Sequence, residues 1–170
     1  MIYKQYYITP KGFDDMVMIS DGQKLTGLLF TNSRDMHKFT LPQNETSLHV
    51  FDKTREWLDE YFDGKIPSFT PEFDISSYTP FQKRVTELML EIPYGKTTTY
   101  GEIAKVIAAE RGIVKMSSRA VGGAVGSNPI CLIIIPCHRV LGANNAITGY
   151  GGGISNKTAL LNLEKIPYKL

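Results

Sequence analysis

A thiol, an imidazole and a guanidinium stand side by side at Cys137, His138 and Arg139, directly after Pro136. Only the thiolate attacks, and a cysteine with a pKa of about 8.5 is mostly protonated at neutral pH, so a reactive one needs a base or a positive charge within reach. His138 and Arg139 are the nearest groups of those two kinds. Neighbours in sequence need not point together, so His138 would act on Cys137 through a water. A carboxylate would then fix the imidazole tautomer, giving a nucleophile, a base and an orienting third group. Glu164 is the candidate for that third place. Tyr150, in the run GYGGG at 149–153, offers a flat apolar face with a hydroxyl beside exposed glycine amides, as the wall of a base-sized pocket would. The plainer alternatives are a core aromatic for Tyr150 and a solvated helix charge for Glu164. Zinc on Cys131, Cys137 and His138 would lack a fourth ligand, and neither a metal nor a cofactor is expected.

These residues need elements to hold them. The apolar run 130–135 predicts a buried strand that Pro136 must end, leaving Cys137 at its exit. Upstream, Thr79, Pro80 and Gln82 form a capping box with proline in the first turn, opening a helix whose stripe is Val85, Leu88, Met89 and Ile92. A second capping box at Thr99 and Glu102 opens a second helix, which runs through Ile103, Val106 and Ile107 to about Glu110. A third starts near Ser117 or Ser118 and runs to 127–129. Its interior pair Gly122 and Gly123 costs about 1 kcal/mol each relative to alanine. Two reasons could justify that cost. One is tight packing on another helix; the other is a nearly smooth face, Arg119, Ala120, Gly122 and Gly123, that offers one long cation to a nucleic-acid groove. The second and third helices resemble a helix-turn-helix, although the connector at 111–115 is long for one. A last helix, capped by Ser155, carries Glu164.

The first half reads differently. Residues 2–8, 16–20 and 25–31 are β-prone, with Asp21 and Gly22 at a turn, so a meander is expected, followed by a helix over 47–62 that ends at Gly64. His37 and His49 have no metal-ligand company and read as surface or capping residues. Residues 1–79 hold 8 Lys/Arg against 12 Asp/Glu, whereas residues 80–170 hold 11 against 5. A basic second half hints at a polyanionic partner, against the bland reading of an uneven solvated surface. No run of eighteen apolar residues and no secretion signal is present, which argues against a membrane partner. Cys131 and Cys137 are badly spaced for a disulfide, so a reducing, intracellular setting is expected.

PCHRV, preceded by RAVGGAVGSNP and GKTTTYGEIA and followed by TGYGGG and a later Glu, resembles the O6-alkylguanine-DNA alkyltransferases, over about residues 79–165. The resemblance implies an α/β (α+β) fold: a small ribonuclease-H-like α/β domain with an antiparallel sheet at 1–78, and a mostly helical DNA-binding and alkyl-acceptor domain with a helix-turn-helix at 79–170. It implies direct DNA repair, in which Cys137 irreversibly takes the alkyl group from O6 of guanine. His138 becomes the water-mediated base and Glu164 its orienting acid. Tyr100 helps rotate the nucleotide out and then protonates or hydrogen-bonds guanine N3. Arg119 fills the vacated space from the minor groove, with Ser118, Ala120, Gly122 and Gly123 on the DNA face. Tyr150, the Gly151 amide and the carbonyls of Cys137 and Val140 frame the base, and Asn128 ties the recognition helix to the active-site strand. The implied partner is double-stranded DNA containing O6-alkylguanine, with O4-alkylthymine left open, bound by a cytoplasmic monomer.

Three departures accompany the resemblance. Asn128 and Cys137 are nine positions apart, one more than the family pattern, which predicts a bulge or altered strand entry near 130–132. The connector between Tyr100 and Arg119 is longer than in the shortest members. Gly151 stands where a serine is common, so only its amide can serve. Rival readings are a Cys-His hydrolase or acyl transferase, which gives Arg119 no purpose, and a non-reactive lesion-binding module, which has no use for Cys137.

Overall fold

The three β-prone segments form the expected meander in the computed structural model, which describes residues 1–38, 40–126 and 132–170. Strands β1 (Tyr3–Tyr7), β2 (Met16–Ser20) and β3 (Leu25–Phe30) pair antiparallel, and the short β4 (Asn44–Glu45) adds parallel to β1, giving the order β3-β2-β1-β4. The turn after β2 uses Gly22 at φ +106°, while Asp21 Oδ1 accepts from the amides of Gln23 and Lys24, both at 2.9 Å. Every residue of β2 is buried. Helix α1 (His49–Phe62) buries Val50, Phe51, Thr54, Trp57, Leu58 and Tyr61, and Gly64 turns the chain away at φ +79°.

Helix α2 (Pro80–Leu90) opens on the full capping box of Thr79 and Gln82. A two-residue strand β5 (Thr98–Thr99) runs directly into helix α3 (Tyr100–Arg111), where Thr99 accepts from the Glu102 amide and Gly112 closes the far end in the left-handed conformation. After the connector 112–117 comes α4 (Ser118–Gly126), with Ser117 Oγ accepting from the Ala120 amide. A 3-10 turn (Cys137–Arg139) leads into β6 (Val140–Leu141), which pairs parallel with β5, and α5 (Ile154–Leu163) follows. One hydrophobic cluster takes residues from β2, β3, α1, α2, α3, α4 and α5.

Two expectations fail here. Residues 132–135 are not a strand: Leu132 and Ile135 bridge one another around a turn, with Ile133 at φ +70°. The run is apolar because it is buried between the two halves, and the Leu132 amide donates to the Leu28 carbonyl of β3 at 3.1 Å. Burial without periodicity does not distinguish a strand from a buried turn. Residues 130 and 131, where a bulge was expected, lie outside the described residues. Ser155 does not cap α5 either: it is inside the helix, and Gly153 at φ +95° precedes it without a side-chain cap.

Candidate active site

The β5–β6 pairing decides the geometry, because α3 starts at the residue after β5 and the Cys137 turn ends at the residue before β6. Tyr100 and Cys137 are thereby brought to one cavity of about 1010 Å³. Cys137 is almost wholly buried, and it lines that cavity with Tyr100, Tyr150 and Gly151. Ser118, Arg119, Gly122 and Gly123 line it from α4. Ala120 is exposed but outside the cavity, and Val140 is fully buried and also outside it. Asn128 lies outside the described residues.

His138 and Glu164 have no exposed side-chain surface. His138 Nε2 and Glu164 Oε2 are 2.5 Å apart. The carboxylate also accepts from Tyr61 Oη at 2.7 Å, Arg139 Nε at 2.8 Å and the Gly95 amide at 2.9 Å. Burial alone would raise the Glu164 carboxyl, but the hydrogen bonds and charges of His138 and Arg139 outweigh it and hold the group down at about 2. Burial pushes the His138 imidazole below its usual range, against the pull of Glu164. The pair is therefore a neutral histidine donating from Nε2 to a carboxylate, which leaves Nδ1 to accept a proton. That Nδ1 is buried with no hydrogen-bond partner among the described residues. Arg139, which the sequence set beside the thiol, instead spends its guanidinium on Glu164 and on the Ile92 carbonyl, 2.8 Å from Nη1.

Burial raises both tyrosines. Tyr100 is pushed up by burial and by the charge of Cys137, against a hydrogen bond with Thr148, and Tyr150 is pushed well up by burial and by Cys137. Both phenols thus keep their protons beside the sulfur. The glycines of α4 have no packing reason. A β-carbon on Gly122 would meet Tyr100 only at 3.9 Å, an ordinary contact, and one on Gly123 would meet nothing within 4 Å. Their bareness faces the cavity.

Four functional candidates escaped sequence reasoning. Tyr61, Arg34 and Asp35 come from the first half, the last two lining the cavity from the 3-10 turn Arg34–Lys38. Lys157 is the fourth: its buried ammonium donates to the carbonyls of Val140 at 3.0 Å and Gly149 at 2.9 Å. Burial pushes it down to about 8, against the pull of Cys137. A signal for Lys157 existed, since it shares one face of α5 with Leu160 and Leu161, a stripe that leads to Glu164 just past the helix end. Among the described residues no group of three side chains could hold a metal ion.

The family model described as "6-O-methylguanine DNA methyltransferase, DNA binding domain" matches residues 80–166, and its "ribonuclease-like domain" counterpart matches 2–75. The methylated-DNA–protein-cysteine methyltransferase of Haemophilus influenzae is 40% identical over 98% of this chain and 88% of its own. The chain belongs to the methylated-DNA–protein-cysteine methyltransferases. It repairs DNA by moving an alkyl group onto a protein cysteine. The crystal structure of the Mycobacterium tuberculosis O6-methylguanine methyltransferase superposes with a TM-score of 0.76 at 38% identity, covering 97% of this chain and 93% of that one. The same bacterium's enzyme in complex with DNA gives 0.74 at 38% identity, with 96% and 92% covered. The α/β fold expected from the sequence is the family's fold.

Proposed function

We propose that Cys137 is the acceptor and that it takes the alkyl group from O6 of guanine in double-stranded DNA, irreversibly and once per molecule. One observation carries this reading: the thiol lines the cavity, and the next residue, a neutral His138, is held by Glu164. The thiol proton passes through a water to His138 Nδ1. The sulfur then bonds to the alkyl carbon as the bond from that carbon to O6 breaks, and the electron pair stays on the guanine. Tyr100, whose phenol keeps its proton, donates to guanine N3, because a guanine anion is otherwise a poor leaving group.

A base inside a duplex cannot reach a buried sulfur, so the nucleotide has to leave the stack, and an alkylated guanine pairs poorly enough to leave most readily. Helices α3 and α4 act as a helix-turn-helix laid in the minor groove, with the bare surface of Gly122 and Gly123 toward the DNA and Arg119 filling the space left by the base. Ser118 and Ala120 flank it. Tyr150 and the Gly151 amide frame the flipped base. Val140 contributes less directly, since its carbonyl already accepts from Lys157. The boundary between a supporting 1–78 domain and a working 79–170 domain, action as a monomer, and a cytoplasmic location with access to the chromosome belong to the same reading.

Intact-mass measurement after incubation with a duplex carrying O6-methylguanine tests it. One methyl mass on Cys137 is expected, and Cys137→Ser should bind the damaged duplex and leave the lesion in place. Release of repaired DNA by Cys137→Ser would refute the acceptor assignment. Acylation of Cys137 by a small ester with no response to DNA would favour a hydrolase.

A further inference from the structure

Asp35 is an acid that no step above uses. It belongs to the 3-10 turn that follows β3, it is 3% exposed, and it nevertheless lines the cavity that holds Cys137. Its carboxylate lies directly over the α-carbon of Gly151. A β-carbon built on Gly151 would stand 1.9 Å from Asp35 Oδ2, 2.7 Å from Cγ and 3.1 Å from Oδ1. Asp35 therefore fills the volume that any side chain at 151 would need. Asp35, Gly151, Tyr150 and Cys137 all line this one cavity. The neighbouring glycine is sealed in the same manner: a β-carbon on Gly152 would lie 2.8 Å from Phe30 and 3.1 Å from Leu132. No slack remains behind this stretch of the loop into which the wall could retreat.

We infer that Asp35 is a specificity-determining residue, which with Gly151 narrows the cavity that holds Cys137 and restricts transfer to small, uncharged alkyl groups. The inference rests on the functional reading above, since the group attached to O6 is the part of the substrate nearest the sulfur. Two physical terms contribute. The side chain occupies space that a bulky O6 substituent would need, and even small steric changes of that kind shift selectivity by about 10- to 200-fold. The negative charge also repels an anionic substituent in a poorly hydrated site.

The test compares rates of alkyl transfer to Cys137, followed by intact mass, on duplexes carrying O6-methyl-, O6-benzyl- or O6-carboxymethylguanine. Asp35→Ala should raise the benzyl-to-methyl rate ratio about tenfold. Asp35→Asn, which keeps the volume and removes the charge, should leave that ratio near the unmodified protein's and raise the carboxymethyl-to-methyl ratio about tenfold. Gly151→Ala provides an independent readout: it should slow methyl transfer in the unmodified background and do so less in the Asp35→Ala background, because the β-carbon then has room. A benzyl-to-methyl ratio for Asp35→Ala or a carboxymethyl-to-methyl ratio for Asp35→Asn within twofold of the unmodified protein's, or an equal cost of Gly151→Ala in both backgrounds, overturns the inference. Absence of methyl transfer by the unmodified protein overturns the functional reading and this inference with it, whereas methyl transfer with unchanged ratios overturns the inference alone.

Discussion

The imidazole of His138 works in one direction only, because its two nitrogens face different company. Nε2 is committed to a carboxylate that three further donors already hold ionised, so Nδ1 is the basic position. Glu164→Gln removes the charge but keeps the shape, and an amide can present its NH2 to Nε2 and reverse the tautomer. Alkyl transfer should then slow by about 100-fold or more while binding of damaged duplex is retained, as rapid-quench transfer assays and a duplex titration would show. The pH profile follows from the direction of the His138 shift. With its folded-state range below 6.5, the base stays neutral as pH falls through 6.5, so the transfer rate should hold to lower pH than a free imidazole would allow. A rate that halves at pH 6.5 would contradict this.

Among the elements, the loop 149–153 is closely packed at Gly151 and Gly152. A β-carbon at Gly152 would come within 2.6 Å of the Tyr150 ring and 2.8 Å of Phe30. Gly152→Ala should accordingly cost about 1–3 kcal/mol in urea unfolding, and it should slow alkyl transfer by shifting Tyr150. Gly123→Ala, with nothing within 4 Å, should leave stability unharmed and weaken DNA binding. The same contrast explains what could be read in advance. The caps at Thr79 and Thr99 and the Gly22 turn are local patterns, complete within a few residues, and they read correctly. The turn at 132–135 did not, because an apolar run records burial and not shape. Tyr61 and Asp35 were invisible for another reason: their partners at Glu164 and Gly151 lie more than a hundred positions away, and nothing in a single sequence joins such pairs.

For the molecule as a whole, the buried Glu164 carboxylate is a stability element. The Glu164 carboxyl sits at about 2 in the folded chain against its ordinary 4.5, so its contribution is complete above 4.5 and is lost as pH falls toward 2. His138 acts with the same sign, since its folded-state range is below 6.5 and the unfolded chain takes up the proton more readily. Thermal unfolding followed by circular dichroism should therefore give a midpoint that starts to fall below pH 6.5 and falls further between 4.5 and 2. Glu164→Gln should flatten the lower part of that curve. The hydrogen bond from the Tyr61 hydroxyl to Glu164 extends the point to ancestry, since it is a clasp between the two segments of the chain. Asp14 and Asn156 form another, 2.9 Å apart. A chimera that imports a phenylalanine at 61 or a lysine at 14 would inherit a mismatched seam, and Glu164 would lose a partner to a change made far upstream.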